Sequence, residues 1–280
     1  MKILFLTRRA HPQIGGVERH IEEIGNRLQV IGHKVTIISE RDIKYPHTKF
    51  IGLFFIWFWL FKNRKLILDS DVVHIHDVFI WYLPFRFLFP KKKVFLTIHG
   101  LEWGNPFKPL SLLQKRMAVK LSSGSIGVGK FLEKYIKTKF DKIIYGGIDR
   151  SLITNHKSPD SSLFVGRLEP DTGLLQFLQE LKVNSQKLKV DFVGDGSLRT
   201  ECEKYGTVHG FCDPTPFYKK AKNCVPSGYL TYLEAKSYGC KIKTFYSTKL
   251  KKEYWSEILR LKRFDTWEDI ADTYIKLWKS

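Results

Sequence analysis

Short apolar runs alternate with longer amphipathic stretches from the first residues onward. Lys2-Ile3-Leu4-Phe5-Leu6-Thr7 reads as a buried strand. From Gly16 to Ile31 the apolar positions Val17, Ile21, Ile24, Leu28 and Ile31 recur at spacings of 4, 3, 4 and 3. That is one face of a helix, and Gly32 stops it. Lys34–Ser39, Asp71–His76, Val94–His99 and Gly124–Val128 read as four further strands, with helices near 50–62, 78–88, 109–122 and 130–137. The second half repeats the plan. Leu163–Val165, Lys189–Val193, Thr207–His209, Asn223–Val225 and Lys241–Thr244 are its short strands. Helices follow near 173–183, 197–205, 214–221, 229–238 and 250–260, and a last one covers Thr266–Trp278. Strands alternating with helices predict α/β architecture, with parallel sheets covered by helices on both faces. Ser151–Ser162 is polar and has no apolar period, so it reads as a linker. The expected domains are therefore 1–154 and 155–280, the helix at 266–278 being free to pack back on the first.

Composition adds a partner class. The chain has 280 residues, 43% of them hydrophobic, which suffices for two domains with their own cores. Its net charge of +19 is uneven: residues 1–150 carry +14 and residues 151–280 carry +5. The basic half should meet something anionic, whether nucleic acid, a phospholipid surface or a phosphorylated acceptor. Cys202, Cys212, Cys224 and Cys240 form no C-x-x-C pair, so reduced thiols are expected rather than a zinc site. Met1-Lys2 leads straight into a strand, which predicts a cytoplasmic protein. The run Phe50–Phe61 is twelve residues without a charge, followed by Lys62, Arg64 and Lys65. It is shorter than the ~18 residues that span a bilayer. Two readings stand: a buried helix, or an interfacial segment 50–65 resting on anionic lipid at the inner face of a membrane.

Two turns carry the candidate chemistry. Ser162–Gly173 reads as a strand, a Gly166-Arg167 turn and a helix opened by Gly173. Backbone N–H groups at a helix start together with a guanidinium suit a phosphate or diphosphate. The first strand likewise runs into Gly15-Gly16 and then a helix, and glycines there let the backbone approach a ligand closely. Ligands of open α/β sheets sit beyond the carboxyl ends of the strands, so both turns are expected to face one cleft. His74 and His76 share a strand face but show no third ligand, and no metal site is expected.

The chain resembles a retaining glycosyltransferase of family 4, with the two-domain GT-B fold. The resemblance rests on Gly15-Gly16-Val17-Glu18-Arg19-His20, Asp71–His76, Thr97-Ile98-His99-Gly100-Leu101-Glu102-Trp103, Tyr145–Asp149, Phe164–Gly173, Val193–Gly196, Val208–Phe211 and Pro226 to Ala235, all in order. It implies two Rossmann-like domains and transfer of a hexose from a UDP- or GDP-sugar to an acceptor, with retention. It also implies that no metal or cofactor is needed beyond the sugar nucleotide. By the resemblance, His99 bonds sugar hydroxyls and Arg167 holds the diphosphate. Glu234 accepts the ribose hydroxyls, and Gly15, Gly16 and the N–H groups of Gly228, Tyr229 and Leu230 complete the donor site. The acceptor would lie against the basic half, which suggests a lipid-linked or glycan acceptor. Two positions depart from the pattern. Thr172 stands where the family has Lys, and Pro226 or Ser227 where it has the first of two glutamates. Lys130, Lys134 and Lys243 are candidates for the missing cation. The departures motivate a rival, a sugar-nucleotide-binding protein of this fold with weak or no catalysis. A same-fold epimerase is a further alternative, and a nucleic-acid binder is disfavoured because no recognition helix or RNA-reading strand is evident.

Overall fold

The computed structural model describes residues 1–10, 15–46, 49–101, 109–149, 158–183 and 190–280. They form two compact units: Met1–Ile144 together with Trp267–Ser280, and Tyr145–Thr266.

The first unit is a six-stranded parallel sheet in the order β2-β1-β3-β4-β5-β6. Its strands are β1 (Lys2–Thr7), β2 (Lys34–Ile38), β3 (Val72–His76), β4 (Val94–Ile98), β5 (Gly124–Val128) and β6 (Lys142–Ile144). β3, β4 and β5 are buried along their whole length, as parallel strands covered on both faces must be. α1 (Gly16–Val30) joins β1 to β2 and buries Ile21, Ile24 and Leu28 of the stripe read from the sequence, whereas Val17 is half-buried and Ile31, just past the helix end, is exposed. Each such side chain contributes about 1.5–3 kcal/mol of burial. α2 (Lys49–Lys62) and α3 (Lys65–Leu68) join β2 to β3, α4 (Phe79–Leu88) joins β3 to β4, and α5 (Pro109–Leu121) joins β4 to β5. α6 (Phe131–Ile136) follows β5. Right-handed crossovers put α2, α4 and α5, which run toward β6, on one face and α1 on the other. The packing agrees: α4 touches both α2 and α5. The last helix, α12 (Trp267–Lys279), lies against α1 and buries Trp267, Ile270, Ala271, Tyr274, Leu277 and Trp278.

The second unit is a five-stranded parallel sheet in the order β11-β10-β7-β8-β9. It comprises β7 (Ser158–Val165), α7 (Leu174–Val183), β8 (Val190–Val193), α8 (Arg199–Cys202), β9 (Gly206–Val208), α9 (Thr215–Lys220), β10 (Ala221–Pro226), α10 (Tyr229–Ser237), β11 (Lys241–Ile242) and α11 (Lys249–Ile258). Phe164, Phe177 and Phe192 pack together under α7, with ring centroids 6.2–6.4 Å apart.

Two expectations need correction. The linker read over 151–162 lies outside the described residues up to 157, and from Ser158 onward it is strand β7. Ser161 shows why a polar stretch can pair there. Its Oγ donates to the Lys220 carbonyl at 3.1 Å and accepts the Lys222 N–H at 3.0 Å, beside an irregularity in the β7–β10 register. The helix read as opening at Gly173 is split. Pro170–Thr172 is a single 3₁₀ turn, Gly173 is left-handed at φ 88°, and α7 begins at Leu174.

Candidate functional site

In the first unit the strand order reverses between β1 and β3, and ligands of such sheets gather at the carboxyl ends of strands flanking the reversal. Gly15 and Gly16 follow β1 there. Gly15 is extended backbone at φ −177° and precedes the first turn of α1. A Cβ on Gly15 would collide with the Glu18 carboxylate, which folds back over the loop. The helix start thus already faces a negative charge, which satisfies the dipole there.

His99 follows β4 and joins a group of buried histidines. Its Nε2 lies 3.0 Å from Nδ1 of His76, and its ring meets that of His20 edge-on at 4.8 Å. Trp278 Nε1–H donates to His74 Nδ1 at 2.9 Å. A neutral His74 must then carry its proton on Nε2, from which it donates to Thr97 Oγ1 at 2.7 Å. Thr97 Oγ1 is 2.9 Å from the Tyr274 hydroxyl, which is 3.0 Å from His20 Nε2. Burial pushes all four imidazoles down, His20, His74 and His76 well below the ordinary range and His99 to about 3. They are neutral at physiological pH. The Nδ1 of His99, the Nδ1 of His20 and the Nε2 of His76 are buried with no hydrogen-bond partner among the described residues. Among the described residues, no three His, Cys, Asp or Glu side chains are grouped so as to hold a metal ion.

Asp77, which sequence reasoning missed, sits immediately after β3 in the left-handed region at φ 64°. Its Oδ1 accepts the His99 N–H at 3.0 Å and lies 3.9 Å from Lys115. Burial pushes its carboxyl up, against the opposing pull of Lys115 and the His99 amide. A strained non-glycine residue beside a candidate site is a signal of function. In sequence the signal was only an Asp ending the run His74-Ile75-His76-Asp77.

In the second unit the reversal falls between β7 and β10. Three backbone segments meet at the carboxyl ends. Gly166 leaves β7 at φ 136°, and a Cβ there would strike Ser227, which follows β10. Gly194, at φ 143°, packs on the Gly166 carbonyl from the end of β8. Arg167 projects from this junction and pairs with Asp171 at 2.8 Å, both half exposed. Glu169, two residues on, accepts the Ser197 N–H at 3.0 Å and its hydroxyl at 2.6 Å. Those bonds hold the Glu169 carboxyl below the usual range.

α10 begins at the same junction. The Gly228 N–H donates to Thr231 Oγ1 at 3.2 Å, and the Tyr229 N–H donates to the Tyr254 hydroxyl. Of the three helix-start amides considered as donors, these two have protein acceptors, and Leu230 follows them. Glu234, one turn in, accepts from the Tyr218 hydroxyl at 3.0 Å.

Lys243, one candidate for the second cation, is paired with Glu180. Lys251 of α11 stands beside the junction instead. It is 95% buried by surface, and its Nζ donates to the Ser227 carbonyl at 2.9 Å, over the rings of Tyr254 at 4.7 Å and Trp255 at 5.6 Å. Burial pushes its ammonium down to about 8; Asp171 pulls it up, and Arg167 adds to the lowering. The sequence did hold a signal for this residue. Lys251 occupies the buried stripe with Tyr254, Trp255 and Ile258, a position that rarely takes Lys without a use for its charge.

Comparisons with known proteins agree with this fold. Residues 14–152 match the family described as Glycosyltransferase Family 4. An uncharacterized glycosyltransferase of Methanocaldococcus jannaschii, MJ1178, is 26% identical over 217 residues, 70% of this chain and 60% of its own length. The chain thus spans about three fifths of that curated relative. Anabaena HepE, solved with UDP and glucose, superposes with a TM-score of 0.63 at 15% identity, covering 100% of this chain and 97% of its own. AviGT4, a glycosyltransferase of avilamycin A biosynthesis, gives 0.62 at 14% identity, over 99% and 97%. The fold is GT-B.

Proposed function

We propose that the chain transfers a hexose from a UDP- or GDP-sugar to an acceptor, with retention of configuration and without a metal ion. The observation that carries this reading is the junction of β7 and β10. There Arg167, the buried Lys251 and the start of α10 gather positive charge where Ser227 and Gly166 bring two backbones together. Charge developing on a leaving diphosphate is stabilised by fixed cations and N–H dipoles. In this reading Asp171 yields Arg167 to the diphosphate, Leu230 N–H contributes a hydrogen bond, and Glu234 exchanges Tyr218 for the ribose hydroxyls. A leaving phosphate oxygen takes the acceptor proton on the face it departs from, which gives retention. HepE binds UDP and glucose, so a UDP-sugar is the first donor to try. The basic first unit suits a lipid-linked or glycan acceptor, and no nucleic acid is needed as partner.

One observation favours the rival reading of a non-catalytic binder: Arg167 and two helix-start amides hold protein partners. Incubation with UDP-glucose or GDP-mannose and a panel of lipid-linked and glycan acceptors separates the two readings. A product whose anomeric proton coupling matches that of the donor, lost in Glu234→Ala, supports transfer with retention. Donor binding without turnover across the panel supports the binder.

A further inference from the structure

α2 buries one apolar face and exposes another that is equally apolar. Ile56 and Leu60 point into the core, whereas Ile51, Phe54, Phe55, Phe58 and Phe61 form a stripe at spacings of 3, 1, 3 and 3 on the outer side. Phe54 is 66% exposed and Phe58 60%. Single exposed apolar residues are ordinary on a protein surface, but a contiguous aromatic stripe is not.

The stripe does not end with α2. α4 packs on α2, with Trp57 Nε1 donating to the Ile80 carbonyl at 2.9 Å, and exposes Phe87 and Leu88 at its end. α5 packs on α4, with Arg86 Nε donating to the Leu121 carbonyl at 2.7 Å, and exposes Leu110, Leu113 and Met117 at spacings of 3 and 4. Three neighbouring helices on one face of the sheet thus present apolar side chains outward. The charge on the helices themselves has one sign. α2, α3, α4 and α5 contain no Asp or Glu. Lys62, Arg64 and Lys65 at the end of α2, Lys91 and Lys93 before β4, and Lys120 on α5 are exposed.

We propose that α2, α4 and α5 form a docking platform for the surface of an anionic lipid bilayer. The apolar stripe enters the boundary between headgroups and acyl chains, and the lysines meet the headgroup phosphates. Charge complementarity selects this occupant. A second copy of the same face would bring Lys62 and Lys65 against their own kind, whereas an anionic bilayer satisfies the apolar and basic parts together. Among the described residues no helix is long and apolar enough to cross a membrane, so contact is in the plane of the surface. The proposal stands apart from glycosyl transfer, since lipid binding is read without donor or acceptor.

The test is co-sedimentation of the full chain with phosphatidylcholine vesicles, with and without phosphatidylglycerol. The expected result is binding that needs the anionic lipid and weakens as salt rises. Phe54→Ser combined with Phe58→Ser lowers the partition coefficient at least about tenfold, and Leu113→Ser with Met117→Ser lowers it severalfold, at unchanged melting temperature. Absence of binding to anionic vesicles overturns the proposal, and so does binding that the Phe54/Phe58 pair leaves intact. Binding indifferent to Leu113 and Met117 overturns the three-helix extent. A dimer seen by light scattering and broken by both pairs assigns the face to a second copy instead.

Discussion

Lowering the pH from 7.5 to 5.5 should destabilise the first unit through three buried histidines and the half-buried His99. His20, His74, His76 and His99 all have native-state values depressed by burial, His99 to about 3. Each titrates near 6.5 once unfolded. Below that value the unfolded chain binds protons that the native chain refuses, so stability falls as pH falls. It is fully present above about pH 7.5, and for His99 the loss continues toward about 3. At pH 5.5 one such group costs about 1.4 kcal/mol, and four cost roughly 5–6 kcal/mol. That is comparable with the whole stability of many domains. Other charges near the group are Lys115, which lowers His99 further, and Asp77, whose carboxyl accepts the His99 amide. Urea unfolding followed by circular dichroism at half-unit pH steps gives the number of protons taken up from the slope. The reasoning predicts three to four between pH 6 and 5, above the usual carboxylate range. A slope of less than one proton in that window would refute it, and would mean that the imidazoles are solvated or already charged in the native unit.

Lys251→Met keeps the packing against Tyr254 and Trp255 but removes the ammonium, and should lower kcat/KM about 10–100-fold with little loss of melting temperature. In the parent chain kcat/KM should fall as pH rises through about 8, where Lys251 loses its proton, and the Met variant should lack that limb. A parent profile flat to pH 9.5 argues against the role. Gly166→Ala forces a side chain into the Ser227 contact at a φ of 136°. It should cost well over about 1 kcal/mol by urea titration, and a neutral effect would mean that the β7 and β10 ends do not meet as described.

The strands were legible because burial on both faces leaves near-continuous apolar runs, as in Val72–His76 and Val94–Ile98. β6, only Lys142-Ile143-Ile144, is too short to show a pattern. Ser158–Ser162 was misread because its pairing depends on Ser161 bonding to the neighbouring strand, a contact made 59 and 61 residues away. The apolar run on α2 was visible, but its two faces are equally hydrophobic, so only the fold decides which is covered. His74 and His76 read as a pair on one strand face, and His99 apart from them. Their union needs Tyr274 and Trp278 from α12, which are about two hundred residues distant. Arg167 stood out through its Gly-Arg turn. Lys251 stood out less, because its role depends on Ser227, 24 residues earlier in the chain and beside the end of β7 only in the fold.

The claim that bears the most weight is that Arg167 grips a sugar nucleotide's diphosphate at the β7–β10 junction. Calorimetric titration of UDP-glucose and GDP-mannose into the parent chain and Arg167→Ala tests it most directly. The account predicts micromolar to millimolar binding of one donor, weakened at least tenfold by the substitution, about 1.4 kcal/mol or more. Equal affinity in both proteins, or no heat from either nucleotide, would contradict it.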